Sequence, residues 1–358
     1  MVKRKWFWIL WLGMLCGCLP TTVEMPPKPV ERVICSGSGM LRLMVYMQAA
    51  DRVVAVEQAE KGTRRTTPYR LAAPFLRDLP VFGESHGRDH AEAIVSLPQP
   101  PQLIFRTQVP GTGVAPEELQ RRTGIPVVEL AYGNLEEKRD VFYNTLRQMG
   151  EWLGKTERAE AVIAFFEGEM AELQRRTADG KPEERVSVYI GGVSYRGAHG
   201  FHSTRSVYAP FQWVHARNVA EVLENQISGI PHALVSPEQI LAWNPDVIFL
   251  DLGTLGLENQ GGWWELHENP LYQTLQAVQK GNVYAVLPSA SYNTNYEIQL
   301  LNAWFIGKTL YPERFTDIDM REKTRQILTF LLGSDVWEEM EPALKNKAYR
   351  SVKLIIDN

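Results

Sequence analysis

Short apolar runs alternating with segments of helical spacing constrain this chain more than any other feature. Val33-Ile34-Cys35, Val53-Val54-Ala55-Val56, Leu103-Ile104-Phe105 and Val127-Val128-Glu129-Leu130 each have strand length, with enough sequence between them for a crossover. The pattern returns at Val186-Ser187-Val188-Tyr189-Ile190, Val247-Ile248-Phe249-Leu250 and Val283-Tyr284-Ala285-Val286-Leu287. β-Branched runs spaced in this way predict βαβ units and parallel sheets, and the two series predict two α/β lobes. A chain of 358 residues, 44% hydrophobic, is long and apolar enough for two cores.

An internal echo supports two related lobes. Ala91-Glu92-Ala93-Ile94, Leu97 and Pro101-Gln102-Leu103-Ile104-Phe105 match Pro237-Glu238-Gln239-Ile240, Trp243 and Pro245-Asp246-Val247-Ile248-Phe249, with a small difference in length. Each copy predicts a short helix that delivers the chain through a proline into a buried strand, once per lobe. Between the lobes, Ala159, Val162, Ile163, Phe166, Met170 and Leu173 recur at helical spacing. Residues 155–177 are therefore expected to form one helix, capped by Thr156 and roughly 34 Å long, which is enough to bridge both lobes.

The amino terminus speaks to location. Lys3-Arg4-Lys5 precede the apolar run from Trp6 to Leu15, a charged region and short hydrophobic core of signal-peptide type. Leu15-Cys16-Gly17-Cys18 follows and resembles a bacterial lipobox, so Cys18 is the expected lipidated first residue of the mature chain. Residues 18–30, with four prolines and no apolar period, read as an extended tether. Cys35 is then the one cysteine left of three, so no intramolecular disulfide is available. Loss of the three leader cations takes the formal charge from −4 to −7, which argues against nucleic acid as a partner.

Motifs for catalysis are incomplete. Gly192-Val193-Ser194-Tyr195-Arg196 lacks the final glycine of a nucleophile elbow and Cys35-Ser36-Gly37-Ser38-Gly39 lacks the first. A dinucleotide fingerprint would need a third glycine where Arg42 stands, and there is no Walker-type loop or His-Glu-x-x-His. His86 and His90 are four apart with Gly87 between them, and His199 and His202 lie in the glycine-rich stretch GGVSYRGAHGFHST. A lone histidine beside glycines is more often a hydrogen-bonding group than a metal ligand. The enzyme alternative is an extracellular zinc hydrolase using His199, His202 and Glu297, and a sensor or chaperone lobe without a transporter is a third class.

Taken together, Glu31-Arg32-Val33-Ile34, Asp51-Arg52-Val53-Val54-Ala55-Val56, Thr123-Gly124-Ile125-Pro126-Val127-Val128, Asn244-Pro245-Asp246-Val247-Ile248-Phe249 and Ala277-Val278-Gln279-Lys280-Gly281-Asn282-Val283-Tyr284 give the chain its likeness to a family. It resembles the class III substrate-binding proteins of ABC importers, carriers of iron-siderophores, haem, cobalamin and related metal compounds. The resemblance implies two Rossmann-like lobes with parallel sheets, joined by a single long α-helix, with the ligand cleft between them. The implied division is a signal peptide over 1–17, a tether over 18–30, lobes over 31–154 and 179–358, and the helix over 155–178. It implies a monomer, held to the membrane through its lipid alone, that serves a permease and its ATPase, with Glu92 and Glu238 docking on permease arginines.

Loops at the carboxyl ends of strands line the crevice of open α/β sheets. On that rule lobe one is expected to offer Ser38, Tyr69, Arg70, His86 and Arg106 to the ligand. Lobe two is expected to offer Tyr195, Arg196, His199, Tyr292, Asn295 and Glu297. Arg70, Arg106 and Arg196 in an acidic protein call for an anionic ligand, since clustered cations repel until something neutralises them. The tyrosines suit a planar or apolar ligand surface. No resident cofactor is expected. The cargo is expected to contain metal, an iron(III)-siderophore first, with cobalamin, haem, a metal–amino-acid complex and molybdate or tungstate open.

Overall fold

A computed structural model describes residues 23–62, 65–107, 113–178, 185–223 and 232–352. The leader with Cys16 and Cys18 lies outside the described residues. Strands β1 (Val33–Ser36), β2 (Val53–Glu57), β3 (Val81–Gly83), β4 (Leu103–Thr107) and β5 (Val127–Leu130) form a parallel sheet in the order β3-β2-β1-β4-β5. In the second half come β6 (Ser187–Gly191), β7 (Ser203–Arg205), β8 (Arg217–Asn218), β9 (His232–Leu234), β10 (Val247–Asp251) and β11 (Val283–Val286). Four of them make a second parallel sheet, β11-β10-β6-β8, while β7 and β9 pair as an antiparallel ribbon. Central strands β4 and β10, reading LIFRT and VIFLD, are buried at every position, as strands covered on both faces must be.

The two sheets share one topology. Taking strands in chain order, β2-β1-β4-β5 corresponds to β8-β6-β10-β11. The sequence echo falls at equivalent places, because the Ala91–Val95 helix feeds β4 and the Pro237–Trp243 helix feeds β10. Ile94 and Ile240, matched in the echo, are both 0% exposed.

One helix, Thr156–Thr177, joins the lobes; at 22 residues it is about 33 Å long. Thr156 does not cap it: Lys155 holds that position and no side chain bonds the first turn. Nor is the helix the lobes' only tie. The Tyr296–Leu310 helix is buried around most of its circumference and packs on the Thr156–Thr177 helix. Its neighbour Met320–Leu332 reaches the Met40–Tyr46 and Pro68–Ala72 helices of lobe one. Phe142, Phe166 and Tyr296 meet at this junction with ring centroids 4.4–6.3 Å apart. The lobes thus share one apolar core.

The end of the proline-rich segment is docked rather than free. Val30 is fully buried, its amide donates to the Trp152 carbonyl at 2.9 Å, and its own carbonyl accepts from Arg52. Lys28 lies over the Trp152 ring and pairs with Glu151. An extended tether to residue 30 is therefore corrected, since chain from Lys28 onward belongs to the folded body. Cys35 is a free, buried thiol whose pKa burial raises.

Candidate functional site

The end of β2 and the loops that follow β1 and β3 meet the loop that follows β11, residues 289–295. Asn293 donates to the Ser38 carbonyl at 3.1 Å and the Thr67 and Ser291 hydroxyls are 3.0 Å apart. The Tyr292 hydroxyl donates to Glu57 at 2.6 Å and accepts the His86 amide at 2.8 Å. The His86 ring is exposed and lies 5.1 Å from the Tyr292 ring. Ser38, His86 and Tyr292 are thus brought together.

Most of the other groups expected to face a ligand are consumed inside the protein. Tyr69 is 0% exposed and donates to Glu60 at 2.7 Å; Arg70 pairs with the same carboxylate at 2.7 Å. Arg106 is buried against Asp89 at 3.3 Å, and Asp89 also accepts from Ser36. Asn295 is fully buried and accepts from Arg42 at 2.7 Å. Glu297 is fully buried and takes the Tyr46 hydroxyl. Tyr69, Arg70, Arg106, Asn295 and Glu297 are corrected from ligand contacts to internal structure. The electrostatic case for an anionic cargo weakens with them, because Glu60 and Asp89 already neutralise Arg70 and Arg106.

Arg42, which sequence reasoning treated only as a missing glycine, organises this junction. Its guanidinium is fully buried and donates to the Thr294 carbonyl at 2.8 Å, the Ser291 carbonyl at 2.9 Å, Asn295 and the Tyr132 hydroxyl. It lies 4.7 Å over the Tyr69 ring. Burial raises the Glu297 pKa while Arg42 pulls it back. A lone cation within an otherwise apolar helix, Met40–Tyr46, was the available signal.

The glycine-rich stretch forms a second cluster in lobe two. Tyr195 stacks on His232 at 4.4 Å and 16°, and His199 lies 5.4 Å from His232. One His199 ring nitrogen is 2.7 Å from the Tyr195 carbonyl. Arg196 is exposed, with its guanidinium 5.4 Å from the Tyr195 ring. Burial, followed by the fields of His199, Arg205 and His202, pushes the His232 pKa down to about 4. His232 is therefore neutral at physiological pH, with a nitrogen lone pair to offer. Deeper, Asp251 ends β10 fully buried, and burial raises its pKa to about 7. Tyr195, Arg196 and His199 are together; Tyr292 belongs with His86 and Glu57 instead.

Glu297 lies with Tyr46 and Arg42, not with the histidine loop. Among the described residues no three His, Cys, Asp or Glu side chains are grouped to hold a metal ion. This removes the zinc site built from His199, His202 and Glu297. Glu92 and Glu238 are exposed on their two equivalent helices. Glu92 pairs with Arg122, which lowers its pKa, after the backbone of its own helix.

The sequence profile described as periplasmic binding protein matches residues 33–290, both sheets included. The chain belongs to the periplasmic binding protein family. It is a class III substrate-binding protein of ABC importers and acts outside the cytoplasm. The molybdate-binding protein MolA of Haemophilus influenzae is 24% identical over 321 residues, 82% of this chain and 84% of MolA. The molybdate-bound MolA structure superposes with a TM-score of 0.64 at 19% identity, covering 86% of this chain and 94% of that one. A periplasmic solute-binding protein of Veillonella parvula gives 0.68 at 19% identity, with 90% and 94% covered. The haem-binding protein HutB of Vibrio cholerae gives 0.56 at 19%, with 78% and 99% covered. These likenesses carry the fold, two lobes of parallel sheet.

Proposed function

We propose that this binding protein captures a small metal chelate between the His86–Tyr292 pair on the lobe-one face and the Tyr195, Arg196, His199 and His232 cluster of lobe two. It then delivers the chelate to its permease without changing it chemically. The observation that carries this reading is that two imidazole–tyrosine pairs form where strands end: His86 after β3 with Tyr292 after β11, and Tyr195 after β6 with His232 at the start of β9. Imidazoles suit a metal whose remaining positions the chelator fills, and tyrosine rings suit the chelator's apolar surface. An iron(III) complex is the first choice of cargo. Lipidation at Cys18 would keep the protein at the membrane, and Glu92 and Glu238 would meet permease cations as rim charges that steer more than they tighten.

A molybdate-type oxyanion is the second reading, favoured by the likeness to MolA over most of both chains. Thermal-shift measurements with ferric siderophores, haem, cobalamin, a nickel–histidine complex, molybdate and tungstate distinguish the two. A ligand that binds only the folded state raises the melting temperature in proportion to the logarithm of its concentration over Kd. A rise with a chelate supports the first reading and a rise confined to the oxyanions supports the second. No rise with any of them overturns both.

A further inference from the structure

The tip of loop 289–295 is strained, as are His86 and Arg196 of the candidate site, at φ 53° and 54°. Tyr292 and Asn293 have φ of 48° and 87°, a left-handed conformation that a bulky ring adopts only when its surroundings hold it there. What holds Tyr292 is Glu57, which is 1% exposed at the carboxyl end of β2. One Glu57 oxygen accepts the Gly37 and Gly87 amides at 3.0 and 3.1 Å, and the other accepts the Tyr292 hydroxyl at 2.6 Å. Both glycines are left-handed, at φ 84° and 74°, and a Cβ on Gly87 would come within 3.1 Å of the Arg106 guanidinium. Their amides can therefore converge on one carboxylate. The Tyr292 oxygen also accepts the His86 amide at 2.8 Å, so its proton must point to Glu57. Arg42 and Ser38 secure the rest of the loop to lobe one.

We propose that Glu57 is a positioning residue that fixes Tyr292 to lobe one. A loop that leaves the lobe-two sheet thereby becomes a preformed part of the lobe-one face. The value of this for ligand capture rests on the function proposed above; the fixing itself does not. A carboxylate is required because three donors approach its two oxygens. Glutamine, with one oxygen and an amide group in place of the other, leaves at least one donor without an acceptor.

The test is hydrogen–deuterium exchange on the full chain without ligand, comparing wild type with Tyr292→Phe and Glu57→Gln. Tyr292→Phe keeps the ring and removes only the hydroxyl, so it tests the idea even if the Glu57 variant folds poorly. Amides of residues 84–88 and 289–295 are expected to exchange about tenfold faster in both variants, while Thr156–Thr177 and β10 keep wild-type protection. Unchanged exchange at 289–295 in Tyr292→Phe would overturn the proposal, as would equal acceleration throughout the molecule. A second arm measures binding of whichever named probe stabilises the wild type. Faster local exchange with unaltered affinity would leave the positioning intact and remove Tyr292 from the ligand wall.

Discussion

The two lobes end their sheets in matching topology but use polar residues in opposite ways. In lobe one Arg70 of the Pro68–Ala72 helix and Arg106 at the end of β4 are buried and paired with Glu60 and Asp89. In lobe two Arg196 is exposed, Tyr195 and His199 lie against His232, and one His232 nitrogen is 2.9 Å from the Ser203 hydroxyl. A charge at a strand end is thus as easily a structural tie as a ligand grip, and the difference is whether a carboxylate reaches it. Lobe one is built as a rigid, internally satisfied face and lobe two as the face with free chemistry.

Substitutions can break this contrast, and the largest effect is expected at Arg42. Arg42→Ala strips donors from the Ser291 and Thr294 carbonyls and from Asn295, and leaves Glu297 uncompensated. It should cost about 3–5 kcal/mol in a denaturant titration, as loss of one partner of a buried charged network does. Glu60→Ala should cost somewhat less, about 3 kcal/mol, by leaving Arg70 buried without its partner and the Tyr69 hydroxyl without its acceptor. A loss under about 0.5 kcal/mol in both would contradict the rigid reading of lobe one.

Asp251 in lobe two should respond with the opposite sign. Its folded pKa of about 7 lies above the ordinary 3.8, so over that window the native state keeps a proton that the unfolded state has released. Its contribution to stability is full below pH 3.8 and is lost as pH rises through 7. Asp251→Asn should therefore raise the melting temperature at pH 7.5 relative to wild type by more than it does at pH 4.5. At the small end, Arg196→Ala should change stability by no more than about 0.5 kcal/mol while weakening binding of the wild type's cargo. Glu238→Ala should spare binding and reduce uptake by cells, and unchanged uptake would remove its docking role.

Much of this architecture was legible in the sequence, because parallel strands buried on both faces must be apolar runs and an amphipathic linker helix must show its period. The β7–β9 ribbon, β3 and β8 were not, since segments of two or three residues carry no period. At the site, Tyr195, Arg196 and His199 share one loop after a legible strand, whereas their neighbour His232 comes from a strand too short to read. Arginine count misled at positions 70 and 106, because pairing with Glu60 and Asp89 is a property of the folded chain. Glu57 was visible only as the charged end of an apolar run, and Arg42 only as one cation within a buried helix.

The claim that two unlike faces hold one cargo is tested most directly by calorimetric titration of the purified protein with the metal chelate that stabilises it. Wild type should bind one equivalent, with Tyr195→Ala and Tyr292→Phe each weakening binding at least about tenfold, or 1.4 kcal/mol. Wild-type affinity in both variants, or no binding by any chelate or oxyanion, would contradict it.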